Sequence, residues 1–512
     1  MPYSTVSSMS KFNGSNLIII AIILLAAALR FYHIDAFSLW EDELFSVATA
    51  TQSGPWYGPF EAGKSMQKLQ LTDNFWTWKF SDPHPPLFEM LLVVWIKLFG
   101  TSDFALRSLT ASLGVGTLLS VFALPRTITA PGRIVYVALL AASAPLLIYS
   151  QDVRNYSLGA FLSAWMFAFL LRQMDEDEAG LRAGRPHFLL LAAGGLLALT
   201  HYYGLIMTLS FAAIVTLRVR SIGAFCRASA SWLLALVPIG IYIALGWAGI
   251  ATKMNAAPPE VLSLAMTFKR NTISLLHNIY PHVNTKGFWI SMLVVLATLL
   301  IYKRMRSEQH ILAPSAGAIA GILTLFFLVL TLATRRAEFF STRYVIFMFP
   351  GILLMLSIFT LVKGWPRAAS LLLTAFLIPT GIWAWQLSPK PQNGGDWRGA
   401  AELVARLYGP NDIVIIPLDD PTMRSHFVHY LRKNIPPEQL DTRVLSITEP
   451  DLMPARVHAL KRRPDRIIFF THASFQYKGN AMMDWLQKNY ACTAEPWQNV
   501  QALRIAVVPC AP

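Results

Sequence analysis

Three consecutive acidic residues follow the first long apolar run of the sequence almost directly. Glu41, Asp42 and Glu43 stand between Trp40 and Leu44, just beyond the predicted end of a membrane helix. Charged side chains beside hydrocarbon are costly, and for that reason they usually serve a function. A carboxylate at this place can act as a general base that takes a proton from a nucleophile. We therefore predict that Asp42 or Glu43 is catalytic.

A second set of candidate residues adds positive charge and imidazole rings. It consists of His84, Asp152, Arg154, His201 and Arg343. Together with the acids, these residue types suit the transfer of a sugar from a lipid phosphate to a hydroxyl group. The phosphate leaves without needing a proton, so arginine can stabilise it, while the acceptor hydroxyl needs the base. In a single displacement the base stands opposite the leaving group, which predicts inversion at the anomeric carbon.

The segment TRRAEFFSTRY, residues 334–344, adds Arg335 and Arg336 to Arg343 and ends in Tyr344. A short loop on the outer side of a membrane usually carries few basic residues. An anion outside the membrane would compensate for these charges, and lipid phosphate is the natural candidate. Anchoring to lipid headgroups is the alternative interpretation.

Each candidate also has a purely structural interpretation. The acids can cap a helix, His84 and His201 can be hydrogen-bonded interfacial histidines, and Asp152 and Arg154 can pair with each other. Tyr156 and Tyr202 are candidates for substrate contacts, whereas Trp40, Tyr156 and Tyr203 suit an aromatic belt whatever the function.

A metal site is an alternative for the carboxylates. Asp42, Glu43 and Asp152 offer the hard oxygen ligands that Mg²⁺ or Mn²⁺ prefers. A single phosphate can also be neutralised by arginine, so the sequence does not require a cofactor.

Composition places these residues in a polytopic α-helical membrane protein. The 512 residues are 54% hydrophobic and 14% charged, whereas soluble domains are about 25% charged. Mean hydropathy is +0.45. The net charge of +14 comes from small basic clusters between apolar runs rather than one patch, so we predict no nucleic-acid partner.

Hydropathy predicts about eleven membrane spans. The first is 17–29, for which a cleaved signal is the alternative, and the others are 106–124, 134–149, 156–171, 188–199, 205–217, 232–249, 288–302, 311–332, 345–362 and 368–385. The apolar run 86–99 has about 14 residues and is too short to cross, so it predicts an interfacial helix. With that choice the basic clusters all fall on one side, which the positive-inside rule makes cytoplasmic.

The predicted domains are a transmembrane domain, 1–387, with a first outer loop, 35–104, and a soluble α/β domain, 388–512. In the second domain, helix-like segments at 397–407, 424–432 and 481–490 alternate with strand-like ones at 412–418, 466–471 and 502–508. Such alternation predicts a mainly parallel sheet. The domain lies outside the cytoplasm in this topology, so Cys492 and Cys510 can form a disulfide, while Cys226 is a cytoplasmic thiol.

An ordered set of motifs resembles a known family. The motifs are WEDE (40–43), HPPL (84–87), LFGTSDFALR (98–107), YSQDVRNY (149–156), THYYG (200–204) and STRYVIFMFP (341–350). This set is similar to that of the bacterial members of the dolichyl-phosphate-mannose protein mannosyltransferase family. These are polyprenyl-phosphate-dependent glycosyltransferases of the C-type fold, related to the aminoarabinose transferase of lipid A. The resemblance covers roughly residues 15 to 360.

The resemblance implies roles for particular residues. It implies that Asp42 is the base and Glu43 its support, that His84 to Pro86 borders the site, and that Arg343 and Tyr344 hold the lipid phosphate. One motif departs from the family, because Asp152 stands where relatives usually have Glu. Relatives differ in sugar and acceptor, so the resemblance does not imply a mannosyl specificity.

The predicted function is glycosyl transfer at the periplasmic face of a bacterial inner membrane. The predicted donor is a polyprenyl-phosphate sugar, and the acceptor is a glycolipid, a polysaccharide or a protein. The alternatives are a transporter or flippase of such lipids and a non-catalytic assembly protein. Transporters tend to carry internal repeats and midplane charges, whereas here the acids cluster near one interface.

Overall fold

The computed structural model describes most of the chain. The described residues are 14–51, 75–81, 84–178, 187–255, 261–277, 285–335, 342–387, 395–417, 427–431, 433–436, 439, 443–447, 449–460, 464–490 and 492–510. The chain divides into two compact units. The first comprises Met1–Ile34, Lys79–Leu91 and Arg107–Ser388, and the second comprises Asp35–Trp78, Leu92–Leu106 and Pro389–Pro512. Much of the predicted outer loop 35–104 thus groups with the C-terminal segment, and the predicted domain boundary at 387 stays a prediction.

The segment up to residue 387 is helical. Its helices are α1 (Gly14–Phe31), α2 (Glu41–Thr51), α3 (Phe75–Ser81), α4 (Leu87–Phe99), α5 (Asp103–Leu119), α6 (Ala130–Ala142), α7 (Ala144–Tyr149), α8 (Tyr156–Glu178), α9 (Phe188–Ala198), α10 (Tyr202–Leu217), α11 (Ile222–Asn255), α12 (Leu264–His277), α13 (Thr285–Ser307), α14 (Ala313–Ala333), α15 (Phe349–Phe359) and α16 (Trp365–Leu387). Short 3₁₀ helices, Ser120–Ala123 and Thr342–Met348, follow α5 and precede α15.

Length and composition confirm a multi-pass membrane protein. Among the described residues, 6 helices are long and apolar enough to cross a bilayer: α1, α5 with its 3₁₀ extension, α8, α11, α14 and α16. Shorter apolar helices are α6, α9, α10 and the segment Arg343–Phe359. Every predicted span overlaps a helix. The total of about eleven spans stays a prediction.

Two predicted spans are not the continuous α-helices that hydropathy suggests. The run 134–149 breaks at Ser143, which is extended (φ −63°, ψ 115°), because Pro145 lies in the first turn of α7 and cannot donate to the preceding turn. At this break α16 approaches closely, since a Cβ on Gly381 would lie 2.1 Å from the Ala142 carbonyl oxygen. The run 345–362 begins as a 3₁₀ helix, and α15 follows with Pro350 in its first turn.

The apolar run 86–99 forms a single short helix. Helix α4 has 13 residues, and at about 1.5 Å per residue it is about 20 Å long, less than the hydrocarbon thickness of about 30 Å. A buried ion pair joins Lys79 to Glu89 of α4, with 3.2 Å between Nζ and Oε2. The interfacial position of this helix stays a prediction.

The C-terminal segment is an α/β fold whose sheet is mixed rather than mainly parallel. The strands β1 (Ile413–Ile416), β2 (Val444–Ser446), β3 (Arg466–His472), β4 (Gln498–Val500) and β5 (Leu503–Pro509) are ordered β2-β1-β3-β5-β4. β1 pairs in parallel with β2 and β3, whereas β5 pairs antiparallel with β3 and β4. The prediction missed β2 and β4, which are only 3 residues long. Because β4 and β5 are joined by a tight turn at Gln501 (φ 55°), β5 returns antiparallel.

Helices cover both faces of this sheet. They are α17 (Trp397–Leu407), α18 (Met453–His458) and α19 (Gln476–Tyr490), and residues 427–431 are also helical. Ile413 and Phe469 pack with Met482 on one face, while Phe470 contacts the rings of Trp397 and Phe427. This alternation is expected of strands that are buried on both faces. Cys492 and Cys510 form a disulfide next to β5, whereas Cys226 is an exposed free thiol.

Candidate active site

Aromatic rings from four separate parts of the first unit meet around His201. The ring centroid of His201 lies 5.4 Å from that of His84, 5.0 Å from Tyr344 and 6.4 Å from Tyr156. Tyr203 stacks on His201 at 5.1 Å and lies 4.5 Å from Tyr344. We call these five residues the His201 cluster. All five belong to four motifs, far apart in the sequence, that the sequence analysis singled out.

His201 is fixed by its place at the start of α10. Its side chain caps the helix, since Nδ1 accepts a hydrogen bond from the Tyr203 backbone N–H at 3.0 Å. Only 4% of the residue is exposed. Gly204 follows in the first turn, and a Cβ there would lie 2.3 Å from the backbone oxygen of Leu197. The THYYG motif therefore combines a capping histidine with a glycine that lets α9 and α10 approach closely.

His84 is held in place through its backbone. The hydroxyl of Tyr242 in α11 lies 3.0 Å from the His84 carbonyl oxygen and 2.6 Å from that of Lys79. The next backbone donor along the chain, the N–H of Leu87, binds the carbonyl oxygen of Leu199 at 3.1 Å. These hydrogen bonds hold the HPP turn next to Leu199, which lies two residues before His201. Tyr242 lies within an apolar helix, where the sequence gives no signal for such a role.

The loop between α7 and α8 is buried although it carries opposite charges. Asp152 is 7% exposed and Arg154 is 5% exposed. Gln151 Nε2 donates to the carbonyl oxygens of Arg30 (3.1 Å) and Tyr32 (3.0 Å), so it satisfies carbonyl groups at and just beyond the C-terminal end of α1. Asn155 Nδ2 donates to the Thr200 carbonyl oxygen at 2.9 Å. The QDVRN sequence thus ties the end of α1 to the start of the THYYG motif.

Arg343 lies beside the His201 cluster. Its guanidinium carbon is 5.5 Å from the centroid of the Tyr156 ring, which is cation–π distance. The ring centroid of Tyr149 is 5.1 Å from that of Tyr156, and Tyr149 lies near the charged groups of Arg343 and Asp152. The 3₁₀ helix that carries Arg343 is anchored to α8, since Ser163 Oγ donates to the Phe347 carbonyl oxygen at 2.7 Å.

Arg270 is a further cation that the sequence analysis did not select. It lies on α12, donates from Nη2 to the Thr334 carbonyl oxygen just after α14, and lies near Tyr203. Its position in a polar segment between predicted spans was the only signal available. Arg335, which was selected, is exposed, and its Nε donates to the Leu262 carbonyl oxygen at 3.2 Å. Arg336 lies outside the described residues.

The acidic residues open helix α2 in the second unit. Glu43 is fully buried, and its Oε2 accepts a hydrogen bond from the Trp40 backbone N–H at 3.1 Å. This is the reciprocal half of a capping box, in which the third helical residue reaches back to the residue before the helix. Asp42 is partly buried in the same first turn. The structure therefore gives Glu43 a helix-capping contact.

The structure brings several of the predicted residues together. His84, Tyr156, His201, Arg343 and Tyr344 form one network of contacts. Tyr202 is partly buried at the start of α10, and its neighbour Tyr203 makes the stacking contact with His201. In the part of the chain that the structure describes, no group of three or more His, Cys, Asp or Glu side chains is arranged to hold a metal ion. The cation site predicted from Asp42, Glu43 and Asp152 stays a prediction.

The chemistry of this arrangement suits a phosphate group. Guanidinium groups supply charge and fixed pairs of N–H donors, and tyrosine hydroxyls can donate to phosphate oxygens. Tyr156 and His201 are buried, and the lower local dielectric of a buried site strengthens such interactions. A cluster of this kind can bind an anionic headgroup beside apolar surface.

Comparisons with known proteins identify the fold. The chain matches no protein-family model and no curated protein. The structure is similar to ArnT from Cupriavidus metallidurans in the apo state, with a TM-score of 0.56 at 14% identity over 97% of this chain and 98% of that chain. The same protein bound to undecaprenyl phosphate matches with a TM-score of 0.52 at 14% identity over the same shares of both chains.

A more distant structure is the apo oligosaccharyltransferase of Archaeoglobus fulgidus. Its TM-score is 0.50 at 11% identity, over 93% of this chain and 72% of that chain. Identities this low show the fold and nothing further. The chain has the C-type glycosyltransferase fold that its motifs predict.

Proposed function

We propose that the chain is a membrane glycosyltransferase that moves a sugar from a polyprenyl-phosphate donor to a hydroxyl group. The observation that carries the proposal is the His201 cluster with Arg343 over Tyr156 and the buried Arg154 in the adjoining loop. The arginine N–H groups and tyrosine hydroxyls of these residues are hydrogen-bond donors of the kind that bind the phosphate of a lipid. The likeness to ArnT, which has been solved with undecaprenyl phosphate, supports the same assignment.

The proposed reaction is a single displacement at the anomeric carbon. The acceptor oxygen forms a bond to that carbon as the bond from the carbon to the phosphate oxygen breaks, and the bonding pair leaves with the phosphate. Arg343 and Arg154 stabilise the charge on the departing phosphate. Asp42 takes the proton of the acceptor hydroxyl, and the configuration of the sugar inverts. Glu43 supports Asp42 by holding the first turn of α2.

We place the reaction at the periplasmic face of a bacterial inner membrane. The basic clusters predict this orientation for the acids, for the loop carrying Arg343 and for the C-terminal segment. The disulfide between Cys492 and Cys510 supports it, because disulfides persist in oxidising compartments. The acceptor is a glycolipid, a polysaccharide or a protein, and the transferred group is a hexose or a pentose.

Purified protein in lipid nanodiscs tests the proposal. The donors are undecaprenyl phosphate carrying labelled mannose, glucose or 4-amino-4-deoxyarabinose, and release of labelled sugar is measured with and without a membrane-lipid acceptor extract. We expect one donor to be consumed, and Asp42→Asn to lower its turnover at least 100-fold while donor binding persists. Full activity of Asp42→Asn would remove that residue as the base. Movement of intact donor between leaflets without sugar release would favour a flippase.

A further inference from the structure

The stretch just before the acidic helix is bound by residues 358 to 391 positions later in the sequence. Within the second unit, Arg398 Nη2 donates to the Asp35 carbonyl oxygen at 3.0 Å, and the Arg398 backbone N–H donates to Ser38 Oγ at 3.1 Å. The Ser38 hydroxyl donates to Asp396 Oδ1 at 3.3 Å. Asp396 is itself the cap of α17, so Ser38 lies at the N-terminus of that helix.

A tyrosine continues this attachment to the residue next to the helix start. The Leu39 backbone N–H donates to the Tyr430 hydroxyl oxygen at 2.6 Å, and that hydroxyl donates to Asp103 Oδ2 at 2.9 Å. Arg398 Nη1 also reaches Asp103 Oδ2, at 3.2 Å, and Lys433 Nζ lies 3.7 Å from Oδ1. We call Asp103, Arg398, Tyr430 and Lys433 the Asp103 anchor.

Tyr430 and Asp103 of the anchor are buried, and so is Leu39. Leu39 is 0% exposed, Tyr430 is 2% exposed and Asp103 is 4% exposed. A buried carboxylate is costly unless cations and hydrogen-bond donors surround it, and here two cations and a hydroxyl do so. Loss of the Tyr430 hydroxyl would leave the Leu39 N–H without its partner, which gives this contact a large effect on local geometry.

Leu39, which the anchor binds, immediately precedes the helix turn that contains the proposed base, Asp42. Leu39 precedes Trp40, whose N–H binds Glu43 and whose carbonyl oxygen accepts from the Leu44 N–H at 3.0 Å. Asp42 lies in the turn that these two bonds close. A helix turn is stiff, so the position of Leu39 and Trp40 sets the position of Asp42. A displacement of about 1 Å at a reacting group can cost up to about 100-fold in rate.

We propose that the C-terminal α/β segment positions the catalytic helix, with Tyr430 and Asp103 acting as positioning residues for Asp42. The proposal rests on the proposed function only in naming Asp42 as the base. It gives the C-terminal segment a task that requires no contact with donor or acceptor. It also explains why the LFGTSDFALR motif carries a buried aspartate at the start of α5.

Tyr430→Phe in the 512-residue chain is the test, because it removes the hydroxyl and keeps the ring. We expect turnover to fall about 10-fold while the KM for the donor that the wild type consumes stays within about 2-fold. Backbone deuterium uptake over residues 39–44 should rise. Asp103→Ala, which removes the acceptor of the Tyr430 hydroxyl, should produce the same local rise.

Tyr408→Phe is the matched control in the same fold. Within the described part of the chain, the Tyr408 hydroxyl has no hydrogen-bond partner, so its loss should change neither rate nor exchange. Unchanged exchange over 39–44 in Tyr430→Phe, or donor KM rising as much as turnover falls, would overturn the proposal. A wild-type protein without transferase activity would instead refute the proposed function, and the exchange data would still decide whether the anchor holds α2.

Discussion

The carboxylate of Glu43 lies 3.1 Å from the backbone nitrogen of Trp40 and accepts its hydrogen bond. The three adjacent acids are therefore not equivalent, because the structure gives Glu43 a capping contact inside its own turn. Asp42 is next to it, partly buried rather than fully buried. The contact separates a structural task for Glu43 from the proton transfer proposed for Asp42.

Substitutions at Glu43 test this separation. Glu43→Gln keeps an oxygen that can accept from the Trp40 N–H, so we expect turnover within about 3-fold of wild type, whereas loss of the cap in Glu43→Ala should destabilise the turn by about 1 kcal/mol and lower turnover about 10-fold. Initial rates of sugar release measure both. If Glu43→Gln were as inactive as Asp42→Asn, the charge of Glu43 would itself be needed.

Donor binding should weaken even when Arg343 is replaced by lysine, which has the same charge. Lysine keeps the charge but loses the planar pair of donors and the stacking over Tyr156, 5.5 Å away. We expect Arg343→Lys to raise the donor KM about 10-fold and Arg343→Ala about 100-fold. Arg172→Ala is the control, since Arg172 is an exposed residue paired with Glu176 four residues on. Equal donor KM values for Arg343→Lys and wild type would show that the charge alone suffices, and equal values for Arg343→Ala and wild type would remove Arg343 from phosphate binding.

The sequence predicted the membrane helices and several cluster residues because the signals are local. Long apolar runs define spans, and motifs such as HPPL and THYYG mark unusual residues at helix ends. Hydropathy does not register a single proline early in a helical turn, so the break at Ser143 and the 3₁₀ start before α15 were missed. Strands of 3 residues likewise give too short a pattern to detect.

The sequence could not predict hydrogen-bond partners that are brought together only by the tertiary fold. Tyr242, Arg270 and Tyr430 lie in segments whose pattern reports only burial or polarity. Their roles depend on backbone atoms far along the chain, such as the His84 carbonyl oxygen or the Leu39 N–H. A hydrogen bond to the backbone requires no particular side chain at the partner position. Such contacts therefore leave no pairwise signature in one sequence.

Gly204 should tolerate no side chain. A Cβ there would lie 2.3 Å from the Leu197 carbonyl oxygen, which is a backbone atom and cannot rotate away. We expect Gly204→Ala to destabilise the protein by about 2 kcal/mol and to reduce activity by shifting His201 and Tyr203. Gly240→Ala in α11 is the control, because nothing lies within 4 Å of the added Cβ and alanine favours the helix. Thermal stability in detergent distinguishes them, and equal melting of the two variants would contradict the close approach of α9 and α10.

Labelling of the cysteines tests both the disulfide and the orientation of the chain in the membrane. A membrane-impermeant maleimide added to intact spheroplasts should leave all three cysteines unlabelled, because Cys226 is predicted to face the cytoplasm and the other two are bonded. After membrane permeabilisation, Cys226 alone should react. Cys492 and Cys510 should follow only after reduction and unfolding. Labelling of Cys226 in intact spheroplasts would reverse the predicted topology.

We expect the ion pair between Lys79 and Glu89 to contribute to the stability of the fold. Its side chains are 0% and 3% exposed. Removing one partner leaves a buried charge, so we expect Lys79→Met or Glu89→Leu alone to cost about 3 kcal/mol, while the double variant should be close to wild type because both charges are gone. Unfolding midpoints of the four proteins in detergent give the coupling energy. Additive losses in the double variant would show that the two side chains act independently.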